Sequence, residues 1–259
     1  MSPLELAILA LIAFATGVVS VITGATSLIT VPALMLFGVE PRVAIATNML
    51  ALTFLSAGAT IPFMRGDAID WERASTLIAL TVVSSIAGAL LVFALPEEVL
   101  PLIIATMMLV IAAFVLLRPH AGLESDARPS PRQAAAGYAA TLLLGVYGGF
   151  FSGGYVTLLT TAWIAFFRMP FRRSIATTKL INTASSLTAV LVFAWQGVID
   201  WPLGLLLSFV MFISAMLGAR ITLRLDDRWL RRVFLAVVIV LALKTLALDV
   251  PWARVLWFN

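Results

Sequence analysis

The 259-residue sequence has no cysteine, a single histidine (His120), and charge on only 12% of its residues. Without thiols there can be no disulfide framework, iron–sulfur cluster or thiolate zinc site, and one histidine cannot build an imidazole cluster for a metal or haem. His120 falls in a polar connecting stretch, where a solvated loop side chain is the ordinary role. The scarcity of charge is far from the roughly 25% of soluble domains, so a soluble globular fold is excluded as well.

What the chain has instead is apolar length: 62% of residues are hydrophobic and the mean hydropathy is +1.08. Backbone groups cannot be left unpaired in hydrocarbon, so a chain that crosses a membrane must do so as helices or a closed barrel. The apolar runs are helix-length, at 4–22, 25–38, 42–64, 72–95 and 98–118, and after a polar linker at 134–151, 154–168, 172–195, 202–224 and 229–248. The expected fold is an all-α polytopic membrane protein, with the lipid bilayer as its surroundings. The net charge of +4 and pI near 10.1 then report basic loops facing the cytoplasm, not a nucleic-acid surface. The N-terminal run from Leu4 carries Glu5 in place of a basic leader and has an internal counterpart from Ala134, so it reads as part of the fold.

Rare residue types recur at a nearly constant offset. At 130 residues Ile45-Ala46-Thr47 matches Ile175-Ala176-Thr177, Ile69-Asp70-Trp71 matches Ile199-Asp200-Trp201, and Gly88-Ala89 matches Gly218-Ala219; at 129, Gly24 falls on Gly153 and Pro41 on Pro170. This is an internal duplication of the kind secondary transporters use. It divides the chain into a first membrane repeat (1–118), a cytoplasmic linker (119–133, with Pro119, Gly122, Pro129 and Pro131) and a second repeat (134–259). Loop charge gives the orientation. Placing the arginine-bearing linker inside puts Glu97-Glu98 outside, and the basic turns at Arg168, Arg172 and Arg173 and at Arg224 to Arg232 both fall inside only if the first two segments of each half go out and back. Each half is then a broken or re-entrant helix pair followed by three transmembrane helices, the halves are inverted, and both termini lie outside. Trp71, Trp201, Trp252 and Trp257 fall at span ends as interfacial anchors, and Ser84-Ser85 with Gly88-Ala89 and Ser214-Ala215 with Gly218-Ala219 supply close helix packing.

All thirteen carboxylates map to span ends, turns or the linker, which excludes a paired-aspartate or HExxH protease at membrane depth; no catalytic residue, metal site or cofactor is expected. The deepest charge is Lys179, about eight residues or 12 Å into its span, where an ammonium costs roughly 2.5–3.5 kcal/mol to insert. Snorkelling to the cytoplasmic surface is the alternative to a cavity. Asn182, Thr183 and Ser186 continue one polar stripe from the lysine, and nothing acidic stands near it in sequence. A cation without a fixed counter-charge suits an anionic substrate. The breaks at Gly24 and at Gly153-Gly154 start new helical segments, whose N-termini favour anions. Thr26, Ser27 and Ser152 at the breaks, Thr47, Asn48 and Thr178 in the Ala-Thr segments, and Tyr155 beside Tyr147 complete the substrate-binding candidates. Each hydroxyl taken singly is as well explained by a bond to the preceding helical turn, and each tyrosine by a satisfied buried hydroxyl. Arg220, Arg224 and Lys244 stand near span ends, within reach of headgroups.

In Gly17, Gly24, Val31-Pro32, Pro41, Ala44, Ala46-Thr47-Asn48, the Gly66–Trp71 turn, Gly145, Gly148, Ser152-Gly153-Gly154 and Ala176-Thr177-Thr178-Lys179, the sequence resembles the TauE/SafE family of sulfite and organosulfonate exporters over nearly its whole length. Two departures stand out: the glycine run at the first break is reduced to Gly24-Ala25-Thr26-Ser27, and Met49 follows Asn48 where some members have a lysine. Lys179 and Asn182 are therefore expected to be the principal contacts. The resemblance implies transport of sulfite, sulfonates or related small sulfur-containing anions. Taken with the repeat and the buried lysine, the expected protein is a multi-pass transporter of the bacterial inner membrane, an exporter working by alternating access as a monomer or homodimer, driven by an ion gradient with a proton or sodium ion as coupling partner, by the substrate gradient or by a separate ATPase. A channel or passive facilitator is the alternative, since a positive pore fits both.

Overall fold

The computed structural model describes residues 1–66, 68–100, 102, 103, 106 and 129–225, and among them every regular element is helical. The order is α1 (Pro3–Thr23), α2 (Ser27–Leu36), α3 (Pro41–Arg65), α4 (Trp71–Ala94), a 3₁₀ turn (Glu97–Val99), α5 (Pro131–Phe150), α6 (Tyr155–Phe167), α7 (Phe171–Trp195) and α8 (Trp201–Arg224). Helices α1, α3, α4, α7 and α8 are long and apolar enough to cross a membrane, so the polytopic class holds. Helices α2 and α6, with 10 and 13 residues, reach about 15 and 20 Å, well short of the roughly 30 Å of hydrocarbon. The span expected at 229–248, most of that at 98–118, His120, Lys244, Trp252 and Trp257 lie outside the described residues.

Local chemistry sets the helix ends. Ser2 with Glu5 and Ser130 with Gln133 form capping boxes ahead of prolines, which is why α5 starts at Pro131, inside the stretch expected as linker. Asp70 and Asp200 cap α4 and α8, accepting from the amides of Arg73 and Leu203. Trp71 and Trp201, about half exposed, stand at the first positions of these two helices. The described carboxylates all lie at helix ends or in turns.

The two halves repeat one another element for element, yet the fourth helix of each packs on the other half. Helix α4 lies against α5 and α7, and α8 against α1 and α3, while the consecutive pairs α3/α4 and α7/α8 scarcely touch. The result is two bundles, α1–α3 with α8 and α5–α7 with α4, joined chiefly where α3 meets α7. The contacts come in equivalent pairs. Gly17 abuts Ser214 and Gly145 abuts Ser84; Gly218 lies against the backbone of Val18 and Gly88 against that of Val146, so close that a Cβ at any of the four would overlap its neighbour. The Thr47 hydroxyl accepts the Asp200 amide at 3.1 Å, and Thr177 accepts that of Asp70 at 2.8 Å. The two rare sequence motifs are thus one clasp made twice.

These contacts fix directions. Thr47 meets Asp200, Gly204 meets Leu50 and Gly58 meets Phe212, so α3 and α8 run the same way. Thr177 meets Asp70 and Ser185 meets Ser85, so α7 and α4 do too. The register at the breaks differs from the sequence alignment. Left-handed Gly24 (φ 66°) corresponds to left-handed Ser152 (φ 61°), an offset of 128 that Gly17 and Gly145 share, because the packing of α1 and α5 on equivalent helices, not glycine content, sets their phase. The longer α6 then restores 130, so that Pro41, the first residue of α3, corresponds to Phe171, the first of α7, with Pro170 at the N-cap.

Candidate anion site at the helix breaks

Helix α1 stops at Gly24, whose positive φ is open to glycine at little cost and whose missing side chain lets Val156 and the Thr157 amide come against it. The first break therefore sits directly on the start of α6 after the second. A helix leaves its last carbonyls short of partners, and two at the end of α1 are met from the other half: the Thr157 hydroxyl donates to the Thr23 carbonyl, and Lys179 Nζ donates at 2.8 Å to the Ser20 carbonyl, which also accepts the Gly24 amide. The Ser20 hydroxyl in turn accepts from Thr26 at 2.5 Å.

Lys179 is 1% exposed, so it does not snorkel. Sequence expectation left it without a fixed partner; the structure supplies the negative end of α1. A helix C-terminus contributes about 0.3–1 kcal/mol and at most about 2 to a nearby cation, which leaves part of the roughly 2.5–3.5 kcal/mol insertion cost uncovered. Among the described residues no carboxylate pairs with it; the ion pairs there are Arg42–Glu97 and Arg73–Asp70, at helix ends. One turn on, Asn182 bridges both bundles and the second break. Its amide nitrogen donates to Ser56 of α3 at 2.7 Å, and its oxygen accepts from Ser152 at 3.4 Å.

The remaining candidates divide. Asn48 donates to Ser27 at 2.8 Å and accepts from Thr30 at 2.5 Å, binding α3 to the short α2 rather than meeting Lys179 or Asn182. Thr26 and Ser152 are drawn into the Lys179 and Asn182 network. Thr47 is spent on the clasp, and Thr178 donates to the Ser174 carbonyl and accepts from Thr160 at 3.4 Å. Tyr155 is fully buried, with Thr81 and Ser185 beside its hydroxyl, which makes no hydrogen bond. Gly153 has no room for a side chain between Phe151 and Leu28, and its carbonyl accepts from Tyr147; Gly154, left-handed at φ 72°, starts α6. Sequence reasoning missed Ser20 and Ser56. Ser56 was within reach of it, lying eight residues from Asn48 and matching Ser186 at the 130 offset. Ser20 was not, because it contributes a carbonyl, which any residue has.

A cavity of about 290 Å³ lies between α1 and α2, bounded by Ala15, Thr16, Val19, Ser20 and Thr23 with Ala25 and Ile29 opposite. Its walls are almost wholly apolar and do not suit an anion. The polar groups of the Lys179 and Asn182 network are buried at the join.

Span-length helices, two broken helix pairs and a cation-bearing polar centre define a multi-pass helical membrane transporter. The chain belongs to the sulfite exporter TauE/SafE family, whose model matches residues 9–245. It is 31% identical over 248 residues to the probable membrane transporter protein YfcA of Escherichia coli K12, covering 95% of this chain and 91% of that one. It is 28% identical over 245 residues to the probable membrane transporter protein ORF9 of a Sinorhizobium species, covering 93% and 92%. To the probable sulfite/organosulfonate exporter TauE of Cupriavidus necator it is 26% identical over 207 residues, 78% of each chain. No solved structure matches it. The bacterial relatives and the five span-length helices place it in the bacterial inner membrane.

Proposed function

We propose that this transporter is a secondary exporter of small sulfur-containing anions, sulfite or organosulfonates, working by alternating access around the Lys179–Asn182 centre, and that it is not an enzyme. The observation that carries the reading is a fully buried ammonium with no carboxylate partner among the described residues, at the join of two equivalent bundles. The name of the Cupriavidus relative supports the sulfur-anion class. An inverted repeat, divided into 1–118 and 134–259 by a cytoplasmic linker, is part of the same reading. Helix α3 runs with α8 and α7 with α4; since α3 and α4 are spans joined by the short connection between Arg65 and Trp71, they cross in opposite senses, and so do the equivalent helices α3 and α7.

Flux of labelled sulfite through proteoliposomes tests the function. A hydrogen bond to a charged group contributes about 1.5–3 kcal/mol, so Lys179→Ala should lower subsaturating flux roughly 10- to 100-fold. Wild-type flux in that variant removes the lysine from the mechanism. Counterflow driven by unlabelled sulfite identifies a carrier; its absence points to a channel.

A further inference from the structure

Resting on the anion-transport reading above, we propose that the site is matched to an anion of one negative charge, and that Met49 sets this selectivity from the position equivalent to Lys179. The equivalence is structural. Thr47 and Thr177, two residues earlier, make the same clasp, and Thr53 and Thr183, four residues later, bond back to the carbonyls of Met49 and Lys179, each at 2.9 Å. Both side chains are buried where α3 and α7 join the bundles. One brings an ammonium and the other a thioether, so a fold with two equivalent positions for a cation fills only one of them.

The other side chains around this centre, Asn182, Ser20, Ser56 and Ser152, are neutral. Of the arginines on the same two helices, Arg42 and Arg172 are held at the first turns on the Leu95 and Leu225 carbonyls, and Arg65, at the last turn of α3, and Arg173, at the first turn of α7, are exposed. Among the described residues the join therefore holds one formal positive charge. A bound monoanion makes it neutral, whereas a dianion leaves an uncompensated charge at membrane depth, which is strongly disfavoured. Hydrogen sulfite and monosulfonates fit this balance; sulfate, thiosulfate and disulfonates do not.

The test uses anions whose charge does not change with pH. Thermal-shift titrations of the purified full chain compare 1-butanesulfonate with 1,2-ethanedisulfonate, and competition against labelled sulfite flux repeats the comparison in proteoliposomes. The wild-type chain is expected to bind the monosulfonate at least about tenfold more tightly. Met49→Lys, or Met49→Arg as a second variant, should move that ratio towards the disulfonate by a similar factor, while neutral Met49→Gln leaves it unchanged. Equal binding of both anions by the wild type overturns the proposal, and so does a Met49→Lys chain that melts like the wild type yet keeps its preference. If neither variant folds, the wild-type ratio alone decides the charge match. No binding of any anion defeats the transport reading itself, so the two failures are told apart.

Discussion

Lys179 lies about two turns into α7, and its hydrogen-bond partner is the Ser20 carbonyl, 159 residues earlier in the chain. Its depth was legible because a charge in an apolar run has to be accounted for, but its partner was not, since a backbone carbonyl leaves no mark on residue type. Asn182 poses the complementary problem: it could serve the substrate or merely hold Ser56 and Ser152 in place. Asn182→Asp separates the two. The carboxylate keeps the shape, still accepts from Ser152 and can accept from Ser56 once that hydroxyl turns to donate, and at i+3 on the same helix face it gives Lys179 the counter-charge that the site lacks. The variant should melt close to the wild type while losing anion-dependent thermal stabilisation. A variant that still binds sulfite with wild-type affinity would show that the open charge of Lys179 is not what recognises the anion.

Among the helices, the most legible features were those with a packing cause. Apolar length set the spans and the small-residue stripes at Ser84–Ala89 and Ser214–Ala219 marked close crossings, whereas the Ser-Pro starts of α1 and α5 went unread, so α5 begins inside the expected linker. The clasps explain why Ile-Ala-Thr and Ile-Asp-Trp recur, but their pairing was out of reach: Thr47 stood as a substrate candidate because a hydroxyl beside Asn48 looks the same in sequence whichever way it points. The crossings themselves can be tested. A methyl group at Gly88 meets the Val146 carbonyl and the Phe150 amide, backbone atoms that cannot rotate aside. Overpacking of this kind costs about 1–3 kcal/mol, so Gly88→Ala should lower the melting temperature of the detergent-solubilised protein by several degrees, and its mate Gly218→Ala, facing the Val18 carbonyl, by a comparable amount.

For the whole molecule, the duplication was readable as a recurrence of rare residues, but the exchange of α4 and α8 between halves was not, because sequence adjacency argues for α3 packing on α4. The bundles that would rock against each other are accordingly not the two halves of the chain. Each bundle holds its exchanged helix through clasps and glycine crossings, while the side-chain bonds between bundles, among the described residues, are those of Arg42 to Leu95 and Arg172 to Leu225 at the helix ends and those of Lys179, Asn182 and Thr157 at the breaks, where an anion could replace some of them. A natural absence of cysteine makes this distinction measurable with introduced pairs. Gly17→Cys with Ser214→Cys, or Ser84→Cys with Gly145→Cys, joins helices inside one bundle; Thr23→Cys with Thr157→Cys joins the two bundles. Oxidation of either of the first pairs should leave sulfite flux within about twofold of the reduced protein, whereas oxidation of the third should stop transport until a reductant is added. Added sulfite should also change the rate at which the third pair cross-links, and not the rates of the others. If the pairs inside the bundles arrest transport and the pair across them does not, the moving parts are the sequence halves, and the Lys179–Ser20 contact is a fixed support of the fold.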